Sequence, residues 1–309
     1  MKIESIGEFG LIEELARLLP DGDDVIKGIG DDAAVLKSRG RDRYLLIATD
    51  SIAEGTHFRR SAGAYRIGRK ALAVNLSDIA AMGGLPLWAV VNLGLPPGLS
   101  VRYCRQLYRG MADLADRFEL SMVGGDTFRN SSGIMISITV VGDVEKKSCV
   151  FRDGAKPGDV ICVTGELGAP GGRKHLDFTP RIREARYLAE AFSPSAMIDI
   201  SDGLFADLDK LCRASGVGAV IGEAAIPAAA RLRGKSEKLK LRAIGAGEEF
   251  ELLFSLPEKE LGDLLNSFAV DTGTRLTPIG KIINDIGRRE LIARDGKVKP
   301  FPEIGYTHF

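Results

Sequence analysis

The chain is short of the residues from which most catalytic sites are built. It has three histidines in 309 residues, His57, His175 and His308, and four cysteines, Cys104, Cys149, Cys162 and Cys212. The cysteines are widely spaced and form no C-x-x-C, which argues against a disulfide framework or a thiolate zinc site and for buried thiols in a reducing compartment. No Ser-His-Asp or Cys-His constellation stands out. Net charge is absent too, with Lys+Arg and Asp+Glu balanced at 42 each, so electrostatics offers no argument for nucleic acid or an anionic membrane surface. The opening "MKIESIGEFG" lacks a basic segment followed by an apolar one, and no apolar run approaches the ~20 residues of a membrane span. The expectation is a cytoplasmic globular protein.

Strand and helix patterns mix throughout. "GEFGLIEELARLLP" places Phe9, Ile12, Leu15 and Leu19 on one helical face, with Pro20 as its stop. "YLLIATD" reads as a strand, "AYRIGRKALAVNLSDIAAMGG" as a helix rich in small residues, "LWAVVNLGLP" as a strand and "VRYCRQLYRGMADLADRF" as a long helix. "SMVGGDT" suggests a short strand entering a glycine turn, and "GIMISITVVGDV" a further strand. The charged, turn-rich "EKKSCVFRDGAKPGD" then marks a domain boundary, dividing the chain into 1–144 and 145–309. Beyond it come the strand "DVICVTG", a helix in "PRIREARYLAEAF", a strand and helix in "AMIDISDGLFADLDKLCRASG", the "GEEFELLFSL" stretch, a helix near Glu258 to Leu265, and a hairpin at Asp295-Gly296. The class is α/β (α+β) in two domains. The likeness of "NLSDIAA" to "DISDGLFA" hints at two related halves.

What the chain does have is aspartate in repeated settings. Asp31 and Asp32 follow a Gly-x-Gly turn in "GIGDDAAV". Asp50 ends a strand, Asp78 sits in "NLSD", Asp126 follows Gly124-Gly125, and Asp199 and Asp202 lie in "DISD". Any one of these is an ordinary turn or helix-cap residue. Brought together, they would crowd charge into one volume at a cost of several kcal/mol. A hard divalent cation resolves that conflict; Mg²⁺ takes oxygen ligands and completes its shell with substrate phosphates. No Walker-type loop is present, since "GAYRIGRK" puts Arg69 where the lysine belongs, and "GIGDDA" fails the dinucleotide pattern. Acids and metals would then hold the phosphate, with Arg152 as a candidate cation. Phosphoryl transfer needs positioning and charge neutralisation more than covalent help. A phosphate acceptor, whose second pKa is about 6, needs no catalytic base.

These motifs, in order, resemble the thiamine-monophosphate kinase family, in the superfamily of aminoimidazole ribonucleotide synthetase and selenophosphate synthetase. "GEFGLI", "GIGDDAAV", "TDSIAEGTHF", "NLSDIAAMGGLP", "VGGDT", "RDGAKPGD", "TGELG", "DISDGL", "GEEFELLF" and "GYTHF" carry the resemblance from end to end. It implies transfer of the ATP γ-phosphate to thiamine monophosphate, with several Mg²⁺ on Asp31, Thr49, Asp50, Asp78, Asp126, Asp199 and Asp202. It implies ATP contacts at Gly125, Asp126, Arg152 and Ser201, and thiamine-side contacts at His57, Glu248 and Tyr306. Asp32 would shape the turn and support it from behind. The fold implied is two α/β domains, an N-terminal ATP- and metal-binding domain and a C-terminal α/β domain, dimerising through N-terminal strands.

The chain departs from the family's G-E-D-Y-E-L at Glu249 and Phe250, and "GAPGGRKHLDF" is compact. Alternatives are another ATP-using member of the superfamily, a nucleotide-binding module without turnover, or a metal-dependent phosphohydrolase. The missing early Cys argues against selenophosphate synthetase, and the ending "YTHF" against a hydrogenase-maturation relative.

Overall fold

In the computed structural model, residues 2–19, 21–40, 42–168 and 174–307 are described. Pro20, residues 169–173 within "GAPGGRKHLDF", and His308 lie outside them.

The first domain is a six-stranded mixed sheet. Its strands are β1 (Val25–Lys27), β2 (Ala34–Lys37), β3 (Arg43–Ala53), β4 (Leu85–Leu95), β5 (Ser121–Arg129) and β6 (Met135–Glu145), ordered β1-β2-β3-β6-β4-β5. All neighbours are antiparallel except β4 and β5. The strict alternation of buried and partly buried residues along β6 shows why one face takes helices and the other does not. Helices α2 (Ala64–Ala81) and α3 (Val101–Arg117) cover the buried face. They approach closely because Gly68 and Gly110 have no side chain. A Cβ on Gly68 would lie 1.9 Å from the Leu107 carbonyl oxygen, and one on Gly110 would lie 1.8 Å from that of Tyr65.

The second domain has a seven-stranded sheet. It contains β7 (Val160–Thr164), β8 (Ala196–Asp199), β9 (Gly218–Gly222), β10 (Leu252–Leu256), β11 (Leu276–Ile283), β12 (Arg289–Ile292) and β13 (Val298–Pro300), ordered β13-β12-β9-β11-β7-β10-β8. Its helices are α4 (Lys174–Asp177), α5 (Ile182–Ala191), α6 (Leu204–Ser215), α7 (Glu237–Ile244) and α8 (Leu261–Thr272). One core packs under α6, with Phe205, Leu208 and Leu211 against Ile198 and Ile221. The other core is shared by both domains and joins α2 and the first sheet to α5, α8 and Phe254. Leu72, Leu76 and Ile79 of α2 are fully buried there, each worth about 1.5–3 kcal/mol. Helix α2 is therefore held from both sides.

Three sequence expectations change. The "VGG" segment is strand rather than turn, because Gly125, at φ 150°, passes within 1.8 Å (from an ideal Cβ) of the Val91 carbonyl oxygen, so the backbone crosses where no other residue fits. The apolar face of α1 (Gly7–Ala16) buries no residue; Phe9 and Ile12 face a cavity instead of a core. "NLSD" lies inside α2 whereas "DISD" straddles the end of β8, so the two are not equivalent positions. Among the described residues no helix is long and apolar enough to cross a membrane.

Candidate functional site

A cavity of about 820 Å³ opens between the two domains. Its walls include Asp31, Asp32, Thr49, Asp50, His57, Lys70, Arg152, Ser201, Asp202, Lys210, Glu248, Phe250 and Tyr306.

The end of β3 forms one wall. Strand β2 pairs with β3 only as far as Ile47, while β6 pairs with it to Ala53. The backbone N–H of Asp50 donates instead to Asn75 Oδ1 of α2, at 2.8 Å. A helix side chain thus replaces a strand partner and leaves Thr49, Asp50 and Ser51 accessible. The Thr49 hydroxyl donates to the Ile138 carbonyl at 3.2 Å and accepts from the Thr139 hydroxyl at 3.0 Å.

The acidic wall comes from three separate elements. Carboxylate oxygens of Asp32, Asp78 and Asp199 lie within 4.8 Å of one another. Asp32 comes from the loop before β2, Asp78 from α2 and Asp199 from the end of β8. Burial, then the charges of Asp199, Asp50 and Asp32, push the Asp78 carboxyl well above the ordinary aspartate range. Burial and the charge of Asp32 do the same at Asp199, opposed by the Ser77 hydroxyl, which donates to it at 2.6 Å. Burial followed by the neighbouring Asp32 charge raises Asp31 to about 6. Asp31 accepts from the backbone N–H of Asp32 at 3.0 Å and from that of Arg152 at 3.2 Å. The Arg152 guanidinium grips Asp32 with two bonds, at 2.7 and 3.1 Å. An all-oxygen donor set with excess negative charge fits a hard divalent cation.

Opposite, the loop before β10 brings in Glu248, with φ 58°, and Phe250, with φ 51°, both in the left-handed region. The backbone N–H of Glu248 donates to the Ser201 carbonyl at 2.7 Å, and that of Phe250 to the Ile200 carbonyl at 2.8 Å. The family departures settle into this loop. Glu249 is buried, accepts from the Gly168 N–H and meets Lys174 at 3.0 Å, while Phe250 stacks on Phe178 with centroids 4.1 Å apart. The Glu248 carboxylate accepts from Lys70 Nζ, which also donates to the His57 carbonyl at 2.8 Å. His57 Nδ1 accepts from the Ala53 N–H at 3.1 Å, so in the neutral ring the proton sits on Nε2. The Tyr306 ring lies 6.5 Å from that of His57, and its N–H donates to the Asp202 carbonyl at 3.0 Å. Asp202 itself pairs with Lys210 of α6, whose ammonium also meets Asp207 at 2.7 Å.

Most of the residues singled out in the sequence thus share this cavity or its acidic wall. Gly125 and Asp126 do not. They lie on the edge strand β5, where Asp126 accepts from the Thr127 N–H at 2.8 Å. Pairing aligns Asp126 with Asn92, Ser137 and Ser51, so it sits three strands from the β3 end, roughly 14 Å away. Sequence reasoning gave Asp32 a supporting part, yet it is the member that joins the acidic cluster to the cavity. It also passed over Lys70, Asn75 and Ser77. Their signal was polar residues set among small and apolar ones in the half of α2 after Arg69.

Comparison with known proteins gives a consistent result. The family models for the N-terminal and C-terminal domains of AIR synthase related proteins match residues 30–144 and 173–290. The thiamine-monophosphate kinase of Bacillus subtilis (strain 168) is 30% identical, over 98% of this chain and 99% of its own. That of Aquifex aeolicus (strain VF5) is 33% identical over the whole of both chains. The solved structure of AaThiL complexed with AMPPCP and TMP superposes with a TM-score of 0.84 at 32% identity, covering 100% of this chain and 99% of that one.

Proposed function

We infer the reaction from the premise that the chain belongs to the thiamine-monophosphate kinases, within the AIR synthase related proteins. It phosphorylates thiamine monophosphate with ATP, giving thiamine diphosphate and ADP. The observation that carries the reading is the cluster of Asp32, Asp78 and Asp199, joined through Asp32 to a cavity that also presents His57, Glu248 and Tyr306. One end suits a polyphosphate with its cations. The other suits a cationic heteroaromatic ring, through a carboxylate and an aromatic face.

Several Mg²⁺ ions, when bound, would neutralise the charge that builds on the transferring phosphoryl group. Asp31, Thr49, Asp50, Asp78, Asp199 and Asp202, with Asp32 added, are the oxygens that would hold them. Asp126, with Gly125, would meet the nucleotide away from this cluster. Ser201 and Arg152 would face the ATP side, with Arg152 also holding Asp32 in place. An oxygen of the acceptor phosphate attacks the γ-phosphorus in line. The bond from that phosphorus to the β,γ-bridging oxygen breaks, and ADP leaves with the electron pair. The acceptor phosphate is largely a dianion at neutral pH, so the site needs no strong base. That accords with the one histidine among the cavity's described residues, His57, whose Nε2 proton would serve as a donor to the acceptor.

We place the domain division at 144/145, one residue before the end of β6 at Glu145, with β7 to β13 following in the second domain. We further propose a homodimer through the uncovered face of the first sheet, supported by Trp88, Val90, Val123 and Phe128, which are exposed there. Purified protein with Mg²⁺ and ATP is expected to form thiamine diphosphate from thiamine monophosphate, one ADP per product, by chromatography. ADP and free phosphate without the diphosphate would overturn the kinase reading. Light scattering is expected to give about twice the 33.2 kDa chain mass; a monomer mass would remove the dimer alone.

A further inference from the structure

Lys70 has no solvent-exposed side-chain surface, although it is a lysine in a largely buried helix. Burying an ammonium costs several kcal/mol unless partners compensate, so its partners are informative. One is the His57 carbonyl, in the turn that follows β3 of the first domain, at 2.8 Å. The other is the Glu248 carboxylate, from the loop before β10 of the second domain, 178 residues away. Both belong to the wall assigned above to the acceptor.

Backbone geometry brings each partner to Lys70. The Glu248 main chain is held in the left-handed region by its bond to Ser201, while its carboxylate is a third exposed and is met by Lys70. The His57 turn is closed by the Ala53 N–H on Nδ1 and by the His57 N–H on the Ala53 carbonyl at 3.0 Å. The remaining backbone carbonyl of His57 receives Lys70. Helix α2, clamped between the domains, thus aims one cation at both acceptor-side groups.

We propose that Lys70 is a positioning residue that sets the His57 turn and the Glu248 carboxylate in mutual register and so determines affinity for the phosphorylated acceptor. This rests on the reading that His57 and Glu248 face the acceptor. A merely structural ion pair would lower stability and affect both substrates alike.

The test measures KM for thiamine monophosphate and for ATP, kcat and thermal melting in Lys70→Met, Lys70→Arg, His57→Ala, Glu248→Ala and the Lys70→Met/Glu248→Ala double variant. Lys70→Met is expected to raise the acceptor KM on the order of 10- to 100-fold, as displaced positioning groups do, with the ATP KM within about twofold. In the Glu248→Ala background the same change should add less than about threefold, because the shared contact is already gone. Equal rises in both KM values, or full additivity, would overturn the proposal. If His57→Ala and Glu248→Ala raise the acceptor KM while Lys70→Met does not, the Lys70 role alone fails. If neither raises it, the acceptor assignment fails first. Should Lys70→Met not fold, Lys70→Arg, which keeps the charge but alters its reach, must still raise the acceptor KM selectively; an ATP-side or uniform effect would overturn the proposal.

Discussion

Asp199→Asn is expected to lower turnover by roughly 10²- to 10³-fold, the scale for losing one element of transition-state charge stabilisation, here a proposed ligand of the neutralising cation, while making the metal-free protein more stable at pH 8. The two effects have one cause. Asp199 is buried at the end of β8, and its oxygens lie within 4.8 Å of those of Asp32 and Asp78. Its carboxyl titrates above the ordinary range, so the folded state holds that proton more tightly than the unfolded chain. A group of this kind contributes stability below its unfolded pKa and loses it as pH rises through the folded value. The melting temperature of the metal-free protein should fall as pH rises from about 4, with Asp31, raised to about 6, contributing up to there and the more strongly raised Asp78 and Asp199 extending the fall above it. Asparagine cannot ionise, yet its carbonyl oxygen can still accept from the Ser77 hydroxyl, so the variant should lose less stability across that pH range. Mg²⁺ at pH 8 should raise the wild-type melting temperature more than the variant's. Scanning fluorimetry from pH 4 to 8, with and without Mg²⁺, reads these effects. A variant that melts lower than wild type at pH 8 without metal, or that turns over normally, would contradict the charge-cluster account.

Arg152→Met carries the opposite sign in stability. Arg152 makes two bonds to Asp32, at 2.7 and 3.1 Å, and the side chains of Asp31 and Asp32 have no solvent exposure. Removing one partner of a buried, hydrogen-bonded pair costs about 3–5 kcal/mol, because the remaining charge stays buried and unpaired. Urea unfolding of the metal-free variant at pH 7 should show a loss of this size, shrinking toward pH 5 as Asp31 takes up a proton. Mg²⁺ should recover part of it by supplying the missing positive charge. Kinetically the variant should raise the KM for ATP, if, as proposed, the guanidinium that holds Asp32 also faces the nucleotide. A stability change below about 0.5 kcal/mol would mean that Arg152 is not the counter-charge the geometry makes it.

Much of this protein was legible along the chain. Periodicity gave α2, α3, α6 and most strands, and balanced charge with scarce histidine and cysteine pointed to oxygen chemistry. The acids were recognisable one by one, because each stands near glycine, serine or threonine beside an apolar run. Such signals are local: propensity, spacing and turn chemistry act within a few residues. The tertiary structure decided what depends on residues far apart in sequence. It chose Asp32 over its neighbour Asp31 for the cluster with Asp78 and Asp199, because adjacent side chains leave a turn in different directions. It set Asp126 three strands away, since strand order is fixed by packing and not by sequence order. It turned the apolar face of α1 toward a cavity, and it joined Lys70 to Glu248 across 178 residues. A motif can name the ligating residue type, but only the packing of two domains against one shared helix determines which of those residues meet.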